Sequence, residues 1–403
     1  MRDAVSHRGE LLRGDGAFAE HLRVAVVVEL DVEPDQVPAL ACSVAGFASY
    51  GVLFYAAQVV VGVVLGLVVL GPLFGTHDGF GLLLFAGWAG GFGSAAAMGA
   101  VFDEGGWTEA QSLAFTSATV GLLVGIVGGI IQAKIGAKRG HAKEFEGLSA
   151  FPEHLRAGGL RSDEERPAIG THAFSGGSIE SLGFQAAIVL MISAAAYGVN
   201  ALLGEVFPAV SFPLFSIAFV VGLVVRGLLS ATRTRRFVDS ESLKSISGSA
   251  TDVLVVCGIA SIVPSFVAGY WLPLLVLFVV GLALCLLLGI DLAPRVLGDE
   301  WFEKQIFTWG WSTGSVSTGL ALLRIVDPRL RSRTLEDFAI AYLPLLPVEV
   351  TAVTFTPVLA LVGAGWAIAG IWGGIAVLAL AVPFLLIRRT PTSTGNRTSE
   401  PAG

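Results

Sequence analysis

Apolar stretches long enough to cross a bilayer recur along this chain, at about 47–70, 108–133, 183–203, 211–229, 251–269, 271–290, 335–363 and 366–387. A helix crosses roughly 30 Å of hydrocarbon with about 20 residues, so the pattern predicts eight membrane helices. Two further stretches, 79–102 and 303–323, are apolar but interrupted by small and polar residues. The first contains Trp88-Ala-Gly-Gly-Phe-Gly93-Ser94-Ala-Ala-Ala-Met-Gly99. The second, offset by 221 positions, contains Trp309-Gly-Trp-Ser-Thr-Gly314-Ser315-Val-Ser-Thr-Gly319. Interruptions of this kind suit a hairpin that enters the membrane and returns, since non-helical backbone at that depth needs protein or a water-filled cavity to satisfy it. The same residues also suit two ordinary crossings rich in small packing residues.

The placement of Lys and Arg separates these readings, because cytoplasmic connections carry the excess of positive charge. With the loop after 133 inside, holding Lys134, Lys138, Arg139, Lys143, Arg156, Arg161 and Arg166, the next inner connection carries Arg233, Arg235, Arg236 and Lys244. If 303–323 returns to the face it left, Arg295 and Lys304 before it and Arg324, Arg329, Arg331 and Arg333 after it are inside as well. A full crossing puts those last four on the opposite face from the neighbouring basic loops. The re-entrant reading makes 47–70 and 271–290 run in opposite directions. The expected fold is therefore an all-α polytopic membrane protein of inverted-topology repeats, each with a re-entrant hairpin, the first repeat truncated at its N-terminal end. The expected organisation is an atypical region 1–46, a partial first repeat 47–137, a cytoplasmic linker 138–181, a second repeat 182–363, an extra helix 364–389 and a disordered tail 390–403. Paired broken segments in corresponding positions point to a secondary transporter.

Composition agrees: 54% of residues are hydrophobic, 14% are charged and mean hydropathy is +0.75. The 51 glycines fit close helix packing and interrupted helices. Cys42, Cys257 and Cys285 share no metal or disulfide spacing and read as small packing residues. With a net charge of -7 and no basic patch interleaved with aromatics, nucleic acid is not an expected partner. The histidines lie outside the predicted spans with no ligand pair at helical spacing, and no nucleophile, dinucleotide or P-loop pattern appears. No enzymatic activity and no cofactor are expected.

The candidate chemistry lies at the interruptions. Gly90, Gly91 and Gly93 let the backbone turn, and Ser94 is placed to N-cap the Ala-rich helix after them. A helix N-terminus inside the membrane presents free N–H groups and about half a positive charge, which favours a carboxylate. Thr313, Gly314 and Ser315 repeat the arrangement from the other side. Oxygens near the two tips, with Ser94 and Ser315 foremost, are the expected sodium ligands, since a hard cation takes oxygen. Thr116 and Thr119, with Ser117, either bond to their own helix or line a substrate path. Glu349, the carboxylate well inside a predicted span, is a functional candidate by its cost; the other reading has it protonated or in a vestibule where Pro344 and Pro347 break the helix.

Gly90-Gly-Phe-Gly93-Ser-Ala-Ala-Ala-Met-Gly99, followed by Ala118-Thr-Val-Gly-Leu-Leu-Val-Gly125 and Gly128-Gly129, resembles the sodium:glutamate symporter family. The resemblance extends through Gly314-Ser-Val-Ser-Thr-Gly-Leu-Ala-Leu-Leu-Arg324-Ile-Val-Asp-Pro328 and covers roughly 47–363. It implies sodium-coupled uptake of L-glutamate by alternating access in the cell membrane, on two five-helix repeats with opposed pore loops. It departs from the family pattern at Trp311-Ser-Thr-Gly314, which carries less glycine, in lacking the first two helices, and in the added helix 366–387. Expected partners are a glutamate-like small carboxylate, sodium ions and the lipid bilayer, with a homo-oligomer left open. The alternatives are a sodium-coupled carrier of another organic anion, or a membrane sensor or partner subunit that does not transport.

Overall fold

In the computed structural model, described over residues 37–142, 181–206, 214–232 and 234–387, every regular element among the described residues is helical. Residues 1–36, most of the expected linker and the expected tail lie outside them. Helix α1, Val37–Leu65, continues through a π-turn, Gly66–Leu70, into the short α2, Gly71–Phe74. A 3-10 turn, Phe80–Leu82, leads to α3, Leu83–Gly87; a break follows, then α4, Gly91–Glu104, and α5, Ala110–Lys138. Next come α6, Ser181–Val206, α7, Leu214–Ala231, α8, Ser240–Ala260, and α9, Pro264–Gly269. Helix α10, Trp271–Leu286, runs through a second π-turn, Leu287–Leu292, into α11, Ala293–Val296. After a 3-10 turn, Gly298–Glu300, come α12, Trp301–Thr313, a second break, α13, Val316–Val326, α14, Thr334–Leu361, and α15, Gly365–Ile387.

From α1 to α5 and from α10 to α14 the order of elements is the same: long helix, π-turn, short proline-started helix, 3-10 turn, helix, break, helix, long helix. The π-turns start at Gly66 and Leu287, separated by the same offset as Trp88 and Trp309. A π-turn carries one extra residue and frees a carbonyl. In the second, the Leu288 carbonyl accepts from the Tyr50 hydroxyl at 3.2 Å.

Seven helices among the described residues are long and apolar enough to cross a membrane, and the chain is a multi-pass membrane protein. Three boundaries differ from those expected. The first helix begins at Val37, inside the region assigned to 1–46. The expected span 251–269 is two helices: α8 ends at Ala260, Val263 is extended because it precedes Pro264, and α9 starts there. The Ser112 hydroxyl accepts the freed Val263 N–H at 2.9 Å. The span expected at 211–229 is α7, whose described apolar stretch, Ile217–Ala231, is shorter than a full crossing.

Helix α12 is the centre of the molecule, buried at every position from Phe302 to Thr313. It lies in a groove along α5 formed by glycines. A Cβ at Gly121 would stand 2.6 Å from the Thr313 carbonyl oxygen, at Gly125 2.8 Å from Thr313 Oγ1, and at Gly128 2.6 Å from the Trp309 ring. Helix α15 is no appendage: it packs along the length of α1 and buries Ile368 and Trp372. Helices α6 to α8 form an outer layer with many exposed apolar side chains, among them Leu190, Leu223 and Val256. Cys257 is exposed on that layer, so the packing role expected of it does not hold; Cys285 is buried in the core. At the other end of the first interrupted segment, His77 stacks on Trp107 at 4.7 Å and its Nδ1 accepts from Gly79 N–H at 3.0 Å. Burial there pushes the imidazole below its ordinary range, with Asp78 opposing.

Gly121→Leu is expected to lower thermal stability by about 1–3 kcal/mol or more, the cost of overpacking a filled site. Melting of the purified protein in detergent checks this, and an unchanged midpoint would mean that α12 does not lie in the α5 groove.

Candidate functional site

The two breaks meet. Gly91 opens α4 with φ +64, a left-handed conformation that glycine adopts without a Cβ clash. A Cβ there would lie 2.7 Å from the Gly314 carbonyl oxygen, so Gly91 is required both by its φ and by the approach of the opposite tip. The N-terminal ends of α4 and α13 thus lie close together. At the second tip Ser315 is the N-cap, its side chain accepting from Thr318 N–H at 3.2 Å. At the first tip the expected cap is not Ser94. Gly90 holds that position without a side-chain cap, because the left-handed turn at Gly91 starts the helix one turn earlier than the Gly-Phe-Gly-Ser pattern suggests. The Ser94 hydroxyl still folds back toward the break: a Cβ on Gly90 would stand 2.6 Å from Ser94 Oγ.

A residue that sequence reasoning passed over joins the two breaks. Gln58, fully buried on α1, accepts from Ala89 N–H at 3.2 Å through Oε1 and donates to the Ser312 carbonyl at 2.9 Å through Nε2. One amide side chain therefore satisfies a backbone donor of the first break and a backbone acceptor of the second. Tyr55, one turn earlier, donates to the Ala89 carbonyl at 2.9 Å and packs against Trp311 with ring centroids 5.3 Å apart. Two buried polar atoms beside the breaks, Trp88 Nε1 and Ser312 Oγ, have no hydrogen-bond partner.

Other expected site residues lie near the breaks with their hydroxyls engaged. Thr116 and Thr119 each donate at 2.8 Å to their own helix, to the Ser112 and Phe115 carbonyls, which is the self-bonding reading of the two left open. Thr313 donates to the Trp309 carbonyl at 2.7 Å. Ser117 instead ties α5 to α3 through the Leu83 carbonyl at 2.6 Å. Gly93 is exposed with open space beside it. Glu349 lies on α14, which continues as helix through Pro344 and Pro347 rather than breaking there. Its carboxylate accepts from the Tyr342 hydroxyl at 2.9 Å, and the Tyr55 hydroxyl is within electrostatic reach of it. Trp311 sits between Tyr55 and Tyr342, so Glu349 connects to the second tip through packed rings and to the first through Tyr55.

Lys304, expected on the inner side just before the second interrupted segment, lies within α12 and is 3% exposed. Its Nζ is 2.7 Å from Asp337 Oδ2, equally buried, and donates to Ser43 Oγ at 2.6 Å; Ser43 in turn donates to Asp337 Oδ2 at 2.9 Å. This cluster fastens α12 to α1 and α14. A buried ion pair is weak evidence for net stability, but an unpartnered half is costly.

Among the described residues no group of His, Cys, Asp and Glu is arranged to hold a metal ion in the manner of a structural site. A family model described as sodium/glutamate symporter matches residues 43–323. No curated protein and no solved structure matches the chain significantly.

Gln58→Leu is expected to cost about 1–3 kcal/mol for each of the two backbone groups it leaves buried and unpaired, read as a lowered melting midpoint. Gln58→Glu should recover part of that loss only at acid pH, where the neutral carboxyl can accept from Ala89 N–H and donate to the Ser312 carbonyl; a Glu variant that gains nothing on the parent as pH falls would argue against the bridge. Lys304→Met alone should cost about 3–5 kcal/mol, and adding Asp337→Leu should restore most of it. If the double variant is instead as unstable as the sum of the singles, the two charges are not coupled.

Proposed function

Because the chain belongs to the sodium/glutamate symporter family, a transporter family rather than an enzyme family, we propose that it couples inward movement of sodium to import of L-glutamate or a related small carboxylate by alternating access. The observation that carries this reading is the contact of Gly91 with the Gly314 carbonyl, which brings the N-terminal ends of two interrupted helices together. Each such end carries about half a positive charge and unpaired N–H groups, which suits the carboxylates of an acidic substrate. The substrate is bound between Gly90–Ser94 and Thr313–Ser315. Ser94 and Ser315 hydroxyls contribute sodium ligands, and Glu349, which accepts from Tyr342, is a further oxygen group linked to the same region through Trp311. The unpartnered Trp88 Nε1 and Ser312 Oγ are further polar groups for the bound state.

In this reading 79–102 and 303–323 are re-entrant hairpins from opposite faces, and the segments 47–137 and 182–363 are inverted repeats. The recurrence of the π-turn, the proline-started short helix and the break in one order supports it. Thr116 and Thr119, with their protons committed to their own helix, offer only lone pairs toward the tips.

Counterflow in proteoliposomes checks the proposal. The parent chain is expected to exchange labelled glutamate only when sodium is present. Ser94→Ala and Ser315→Ala are each expected to weaken sodium or substrate dependence by about tenfold, the loss of one hydrogen bond to a charged group. No sodium-dependent exchange of any small dicarboxylate or acidic amino acid by folded parent would sink the function. Unchanged kinetics in both variants would remove the tips from the site.

A further inference from the structure

A cavity of about 330 Å³ opens between the C-terminal end of α5, the second π-turn with α11, and the start of α12. It lies at the opposite end of α12 from the second tip, and its polar lining is Gln132, Arg139, His141 and Gln305, with no Asp or Glu among the lining residues. Asp291, next to the lining Ile290, is already paired with Arg295. Within the cavity wall Gln305 Nε2 donates to Gln132 Oε1 at 2.9 Å, which turns the Gln132 Nε2 into a buried donor with no partner. An unpaired amide beside a guanidinium and an imidazole selects an anion.

The rest of the wall is apolar, and part of it faces outward. Ile135 and Ile290 line the cavity and are 44% and 57% exposed, and both belong to membrane-crossing helices, so the mouth opens toward acyl chains. Trp301 forms one side, with His141 edge-on to it at 5.1 Å, as aromatic residues do at the headgroup level. The first charge on α5 after its apolar run is Lys134, and Lys138 and Arg139 follow, which sets this level at the inner surface. Basic pockets between helices on that side fit anionic headgroups.

We propose that this cavity is a binding site for an anionic phospholipid of the inner leaflet. The phosphate lies against Arg139 and His141, with the unpartnered Gln132 amide turning out of the wall to donate to it, and an acyl chain runs over Ile135 and Ile290. A soluble anion shares the first half of this chemistry but has no use for the second, and the apolar mouth favours the lipid.

The test is melting of the purified chain in neutral detergent with added phosphatidylglycerol, phosphatidylcholine or inorganic phosphate. The shift is read against the lipid-free sample of the same variant, so that a general loss of stability does not count. The parent is expected to gain more from phosphatidylglycerol than from phosphatidylcholine, and little from inorganic phosphate. Arg139→Gln, on an exposed position away from the tips, should weaken the phosphatidylglycerol titration about fivefold, and Gln132→Met should weaken it further. Equal shifts with the two lipids, or a titration that neither substitution alters, would overturn the proposal. A phosphate shift as large as the lipid's would make the cavity a soluble-anion site instead.

Discussion

Two interrupted helices can be packed against each other in the interior of a membrane protein only if the chain supplies partners for the N–H and C=O groups that the interruptions release, because no water is there to do so. Here much of that obligation falls on one side chain. Gln58 has the length and the paired donor and acceptor to reach both breaks from α1, and Tyr55 takes the carbonyl of the same Ala89 whose N–H Gln58 binds. An apolar residue at 58 would leave both breaks in want of partners, and a charged one would bury a net charge between them. The neutral amide meets the constraint at the least electrostatic cost.

The same constraint explains why α12 is polar at its centre although no part of it from Phe302 onward is exposed. Most of its polar side chains are met: Lys304 by Ser43 and Asp337, Gln305 by Gln132, Thr308 and Thr313 by carbonyls one turn back, and the Trp309 indole by the Gly125 carbonyl at 3.1 Å, with the Ser312 hydroxyl beside the break left without a partner. These partners come from α1, α5 and α14. The second interrupted segment is thus held by directional bonds from three sides as well as by packing, and its register against α5 is set by where Trp309 and Thr313 meet the glycines.

What the sequence disclosed follows from what is local. Hydropathy and small residues located both breaks, since Gly90-Gly-Phe-Gly and Ser-Thr-Gly-Ser stand out in apolar surroundings, and proline explained Val263 once the helix was seen to stop. Gln58 was not legible because a lone amide in a long apolar run has no local signature, and its partners lie 31 and 254 positions away. Lys304 was misplaced because charge counting assigns a lysine near a segment end to water, whereas Asp337 and Ser43 neutralise it inside. Ser94 fits the pattern of a cap, but the left-handed φ at Gly91, which no pattern of residue types discloses, moves the helix start one turn earlier.

The glycine-lined face of α5 carries a consequence for heredity. Every single-base change that alters the amino acid at a glycine codon brings in a Cβ or stops the chain, and at Gly121, Gly125 and Gly128 even the smallest side chain would enter space held by Thr313 or Trp309. At Gly125 and Gly128 the obstacle is a side chain, so a smaller residue at 313 or 309 would make room for the newcomer; at Gly121 it is the Thr313 backbone carbonyl, which no substitution on the facing helix removes, and that position is the firmer brake on drift.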